Sequence, residues 1–205
     1  PIYHIHGLFV ACNLCLLSGT KILFIKKFQT EKVIEYLPNS TVMMGVPTFY
    51  TRLIESNKLN AQITKNIRVF ISGSAPLLPE THKEFENITG HKILERYGMT
   101  ETNMNTSNPY EGERRAGTVG FPLPGIKIRI TDTESNHKLG SEKIGMIEIK
   151  GGNVFEGYWK MSDKTKESFT DDGYFVTGDL GKFSIDGYLS IICLLYTSDA
   201  ADEWR

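Results

Sequence analysis

The sequence predicts an α/β fold: a doubly wound, mainly parallel sheet with helices on both faces, followed by a small antiparallel β-subdomain. Three observations predict it. Over residues 1–125, helix-like and strand-like segments alternate, as they do in parallel βαβ units. Short apolar runs at 42–46 and 68–72 read as strands buried within a sheet. After Gly125 the texture changes to short strands separated by Gly and Asp turns, the pattern of a small antiparallel sheet.

Each element can be justified in turn. Residues 6–17 read as a helix, 21–25 as a short strand and 30–37 as a second helix. The strand over 42–46 stops at Pro47, and 48–56 return to helix. The apolar strand 68–72 runs into Gly73-Ser74-Ala75-Pro76. Residues 79–89 form a helix with Pro79 in its first turn, where a missing N–H costs nothing. Residues 92–95 add another short strand. Beyond Gly125, strands are expected at 127–131, 146–150, 174–177, 182–184 and 188–192. Their turns are Asp132-Thr133, Gly151-Gly152, Asp171-Asp172-Gly173 and Asp186-Gly187. Two regions result, 1–125 and 126–192, with neither internal repeats nor low-complexity segments.

Composition narrows the function. The 205 residues hold ample apolar material for a core. A net charge of -1 argues against a nucleic-acid or anionic-membrane partner, which would call for a basic excess. The pairs Lys26-Lys27 and Arg114-Arg115 are too short to count as patches. Asn13, Ser18, Gly19, Thr20 and Lys21 interrupt the apolar run over 7–25, and a bilayer span needs roughly 20 mostly apolar residues. No basic leader precedes that run, so the expected location is cytoplasmic, or mitochondrial for a eukaryotic parent that lost a transit peptide. The glycosylation sequons at Asn39, Asn87 and Asn105 then read as chance matches. Cys12 and Cys15 could bind metal or cycle redox states. No second Cys or His pair follows at ligand spacing, and buried thiols acting as small hydrophobes fit better.

Both ends read as unnatural. The chain opens on Pro1 with a motif already under way, and residues 193–205 resemble a translated sequencing-adapter tail. That tail, including Trp204, is expected to pack poorly. Without it Lys+Arg falls from 23 to 22 and Asp+Glu from 24 to 21, for a net +1 that still argues against a basic, polyanion-binding surface.

The chemistry concentrates at expected strand ends, where open α/β sheets bind ligands. Glu95-Arg96-Tyr97-Gly98-Met99-Thr100-Glu101-Thr102 combines a stacking ring, a glycine, hydroxyls and a carboxylate suited to Mg²⁺. Ser72-Gly73-Ser74-Ala75-Pro76 follows a strand and precedes a helix; small residues there let backbone approach a ring or phosphate, though a plain turn has the same composition. Tyr174-Phe175-Val176-Thr177-Gly178-Asp179-Leu180-Gly181 places an Asp at a turn. It can bind both hydroxyls of a ribose or cap its own backbone. Gly117-Thr118-Val119-Gly120-Phe121-Pro122-Leu123-Pro124-Gly125 makes a rigid loop joining the two regions.

Together with Pro1-Ile2-Tyr3-His4-Ile5-His6-Gly7, these motifs resemble, in family order, the adenylate-forming acyl-CoA synthetases. The resemblance spans residues 1–192 and implies a two-step ligation. A carboxylate attacks the α-phosphate of ATP with Mg²⁺, and CoA then displaces AMP. It implies that Ser74, Ala75 and Pro76 line one face of adenine and Tyr97 stacks on the other. Glu95 and Gly98 are counted with that nucleotide site. Thr100 would contact phosphate, Glu101 would hold Mg²⁺, and Asp179 would bind the ribose. His4 would be the gating histidine beside the acyl pocket. The 1–125 region would then carry the adenine and acyl sites, and 126–192 the ribose Asp.

His6 and Arg96 stand where many relatives with apolar substrates have an apolar residue and a glycine. A buried guanidinium costs several kcal/mol unless an anion compensates, and a dicarboxylate supplies one. The alternative is that Arg96 salt-bridges Glu84, Glu86 or Glu95 while His6 packs in the core. The wider run from Glu95 through Gly120 is similar to malonyl-CoA and methylmalonyl-CoA synthetases, and Met104 falls with the acid pocket. The expected partners are a small carboxylic acid, ATP and CoA. A synthetase for another short or dicarboxylic acid, or a non-catalytic nucleotide-binding module, remains open. The family's Gly/Ser/Thr-rich phosphate loop, hinge-adjacent Arg and C-terminal domain with its catalytic Lys are not in these residues. The chain as given is therefore expected to be inactive.

Overall fold

The structure, a computed structural model, describes residues 2–194, with side chains through residue 192. The expectation for Trp204 lies outside the described residues. Contacts divide the chain into two compact units: Pro1–Tyr97 with Asn108–Gly117, and Gly98–Ser107 with Thr118–Arg205.

The first unit opens with a π-helical stretch, His6–Asn13, continued by α1 (Leu14–Leu17). Then come α2 (Thr30–Tyr36), β1 (Val42–Gly45), α3 (Pro47–Glu55), α4 (Ala61–Thr64), β2 (Val69–Ser72), α5 (Pro79–Thr89) and β3 (Leu94–Met99). β1 and β2 are parallel with Val42 opposite Val69, and β2 and β3 are parallel with Ile71 opposite Leu94. Alternation along β2 decides what each face carries. Phe70 points to a core shared with Tyr50 and Leu53 of α3, Phe85 of α5 and Ile93. The Phe70 and Phe85 rings meet edge to face at 4.8 Å, and the Tyr50 hydroxyl donates to the Ile71 carbonyl at 2.6 Å. Val69 and Ile71 point the other way and cluster with Leu94, Val42 and Met44.

Some details depart from expectation: the strand expected over 92–95 runs on as β3 to Met99, so Arg96 and Tyr97 lie within it. Residues 21–25 form no strand: no described strand pairs with them, and Ile22, Leu23 and Phe24 are exposed. The short α4 was not foreseen; the Asn60 side chain starts it by accepting from the Gln62 and Ile63 backbone N–H groups.

The second unit contains β4 (Asn103–Ser107), β5 (Phe121–Pro122), β6 (Lys127–Thr131), β7 (Gly145–Lys150), α6 (Ser162–Glu167), β8 (Phe175–Phe183) and β9 (Leu189–Leu194). β6 to β9 form an antiparallel sheet in sequence order. Ile130, Ile147, Ile149 and Phe175 are buried in it. The strands expected at 174–177 and 182–184 are one continuous β8. Gly178-Asp179 reads locally as a turn, yet the strand continues through it as a bulge: the pairing with β7 jumps from Val176 to Leu180, Gly178 takes φ +82°, and Asp179 stays paired with β9. Asp179 therefore stands within a strand. β3 runs through the division of the units at Tyr97-Gly98.

Candidate active site

The residues singled out from the sequence divide between the units. In the first unit, the Ser72-to-Pro76 turn leaves the C-terminal end of β2, and Arg96 and Tyr97 lie on the adjacent β3. Ser74, Ala75 and Pro76 are exposed and Tyr97 is buried. Ser74 adopts φ +68°, a left-handed backbone costly for a residue with a Cβ. Its hydroxyl lies 3.0 Å from Nδ1 of His6. The chain at His4-Ile5-His6 is drawn tight, the His6 N–H donating to Nδ1 of His4 at 3.2 Å.

The Arg96 guanidinium shares this corner with His6, and no carboxylate pairs with either among the described residues. Burial, then the neighbouring His4 and Arg96, hold His6 below its ordinary pKa. Burial alone lowers Arg96. Arg96 has no ion pair among the described residues, and its buried Nε has no hydrogen-bond partner. The alternative anticipated for it is not what the fold presents. Glu86 pairs with Lys92, and Glu95 points to His82.

Glu95 has its own place. Its Oε1 lies 2.9 Å from Nδ1 of His82 and accepts the Gly117 N–H at 3.2 Å. Its backbone carbonyl accepts from Asn108. Burial raises its pKa, while the hydrogen bond from His82 opposes the rise. Glu95 thus ties α5 and the 108–117 segment to β3, and its carboxylate is turned to protein groups.

In the second unit, Gly98 and residues 99–105 make a tight reversal between β3 and β4. A Cβ on Gly98 would lie 2.1 Å from the Asn103 carbonyl oxygen and 3.0 Å from the Met104 methyl. Only glycine lets the chain fold back this closely. Thr100 is exposed at the turn, and Glu101 is half-buried with Oε1 accepting from the Tyr158 hydroxyl at 3.0 Å. Asp179 is buried on β8, with its N–H donating to Thr177 Oγ1 at 3.0 Å.

No group of three or more His, Cys, Asp or Glu among the described residues could cage a metal. One half-buried carboxylate at Glu101 instead suits Mg²⁺, which keeps waters and arrives on phosphate oxygens, needing only one or two protein carboxylates. Cys12 and Cys15 are free and half-buried. No helix among the described residues is long and apolar enough to cross a membrane.

Sequence reasoning passed over Asn153, Tyr158 and His82. Gly151-Gly152 read only as a turn, although an amide follows it directly and Tyr158 lies six residues on. The His82-to-Glu95 contact joins residues on different elements and has no local signal.

The family model of AMP-binding enzymes matches residues 1–159. The chain belongs to that family. Among solved structures, ATP-bound MatB from Rhodopseudomonas palustris is 56% identical and superposes with a TM-score of 0.92, covering 93% of this chain and 38% of that one. A malonyl-CoA ligase in a ternary product complex with methylmalonyl-CoA and AMP is 38% identical with a TM-score of 0.87, covering 96% and 43%. The malonate–CoA ligase of Arabidopsis thaliana is 40% identical over 212 residues, 94% of this chain and 34% of that protein. The chain spans about a third of the length of the curated relatives it matches.

Proposed function

We propose that the full-length protein is an AMP-forming acid–thiol ligase that activates malonate or methylmalonate and transfers it to CoA. The observation that carries the choice of acid is Arg96, a largely desolvated guanidinium near His6 with no carboxylate to neutralise it among the described residues. Burying an unpaired charge is expensive, and a substrate anion is the economical remedy. A dicarboxylic acid brings two carboxylates. One pairs with Arg96 through charge-assisted hydrogen bonds, helped by His6 and the Ser74 hydroxyl. The other is left free to attack the α-phosphorus of ATP, expelling pyrophosphate and leaving an acyl-adenylate. The CoA thiolate then attacks the acyl carbonyl and AMP departs.

The remaining residues position and neutralise, which is most of what such transfers require. Tyr97 and the Ser74-Ala75-Pro76 backbone sandwich adenine, with Gly98 allowing close approach. Thr100 donates to phosphate, and Asp179 accepts from the ribose hydroxyls. Glu101 is the carboxylate for the Mg²⁺ that enters with ATP, whose charge offsets that of the phosphates. His4 borders the acyl pocket, and Met104 lines it. The relatives named as malonate–CoA or malonyl-CoA ligases support this reading.

The test compares malonate, methylmalonate, succinate and acetate in the full-length protein. Malonate or methylmalonate is expected to give the highest kcat/KM. Arg96→Ala should lower malonate kcat/KM about 100-fold, the scale of a lost charge-assisted pair, while sparing acetate. Faster turnover of acetate or a fatty acid, or undiminished malonate use by Arg96→Ala, would overturn it.

A further inference from the structure

Glu101 does not hold its own position. Residues 151–158, the loop leaving β7, grip the turn that carries it, and every contact lies within the second unit. The Asn153 amide nitrogen donates to the Thr102 carbonyl at 2.6 Å and contacts the Met104 carbonyl and Asn105 Oδ1 at 3.4 and 3.1 Å. The Phe155 N–H donates to the Glu101 carbonyl at 2.8 Å. The Tyr158 hydroxyl then donates to the Glu101 carboxylate itself. Asn153 and Phe155 hold the turn, and Tyr158 fixes the carboxylate end of the Glu101 side chain.

Tyr158 is secured in turn. Its N–H donates to Thr165 Oγ1 at 2.9 Å, and its ring meets Phe155 edge to face at 4.8 Å. The Lys164 ammonium lies 4.7 Å from the ring centroid. Gly157, at φ +153°, would drive a Cβ to within 2.5 Å of the Thr165 methyl, so glycine is what lets the loop pass α6.

We infer that Tyr158 is a positioning residue for the carboxylate that would bear the metal: its hydroxyl engages Glu101 Oε1 and so fixes the carboxylate, while Asn153 and Phe155 hold the turn. This rests on the reading of Glu101 as the Mg²⁺ carboxylate. A phenol is apt here because its hydroxyl is a hydrogen-bond donor that a rigid ring delivers to one carboxylate oxygen. Hydrogen bonds of this kind orient metal-ligating carboxylates and tune what they bind.

The test uses calorimetric binding of ATP to the full-length protein, with and without Mg²⁺, in Tyr158→Phe and Glu101→Gln. Tyr158→Phe keeps the ring packing, so its melting temperature should stay close to that of the parent. It is expected to bind Mg·ATP about tenfold more weakly and metal-free ATP unchanged, since outer-sphere partners of this sort are worth about that factor or more. Glu101→Gln should abolish the Mg²⁺-dependent gain. If Glu101→Gln loses that gain while Tyr158→Phe keeps it, the positioning role is wrong and the metal reading stands. If Glu101→Gln keeps the gain, the metal reading falls and takes the inference with it. Equal losses with and without metal, or a large drop in melting temperature, would make Tyr158 merely structural and overturn the proposal.

Discussion

His6 and Ser74 meet at 3.0 Å across 68 residues of sequence, and each gives up something to do so. Ser74 accepts a left-handed backbone conformation. His6 accepts burial near two other basic side chains, which lowers its pKa from the ordinary 6.5. The sign of the pH effect follows directly. Below about 6.5 the unfolded chain binds a proton that the folded one resists, so stability should fall as pH drops from that value through the lowered one. His6→Gln should flatten this limb in denaturant titrations at pH 5, 6 and 7; an unchanged slope would show that another group sets it. An anionic acid in the pocket should oppose the depression by stabilising the imidazolium. The sequence already marked His6 and Arg96 as unusual for an apolar-acid pocket. It left a surface ion pair open for Arg96, because pairing depends on which way a side chain leaves its strand.

At the scale of elements, the reversal from β3 to β4 shows how far local patterns carry. Its residue types read as a ligand loop, and α5 was legible to its end residues, with Pro79 in its first turn. The clasp on that loop was not legible, since Asn153 and Tyr158 lie some fifty residues further on. Nor was the path of β8 through Gly178-Asp179, where a bulge lets the strand carry on past a turn signal while β9 keeps Asp179 paired. The reversal itself yields a sharp expectation. Gly98→Ala would press a methyl to 2.1 Å from the Asn103 carbonyl, a backbone atom with no rotamer to yield. Overpacking of that kind costs about 1–3 kcal/mol or more, so the melting temperature of the variant should drop by several degrees. A variant as stable as the parent would show that the loop is looser than its geometry implies.

For the molecule as a whole, the ordered motifs were enough to reach the family. A chain about a third as long as its curated relatives is expected to release no pyrophosphate from ATP and malonate by itself, whereas the full-length protein should. Pyrophosphate release is the direct measurement, and turnover by the 205 residues alone would refute the expectation. Strand β3 carries a last consequence. Successive side chains leave a strand on opposite sides, so Glu95 and Tyr97 project toward α5 while Arg96 projects toward the face of Leu94. On the proposed assignment, selectivity and activation chemistry are written on alternate letters of one word. A mutation at position 96 can revise the diet of such an enzyme and leave its energy source untouched, a layout that lets one ancestral scaffold diversify one residue at a time.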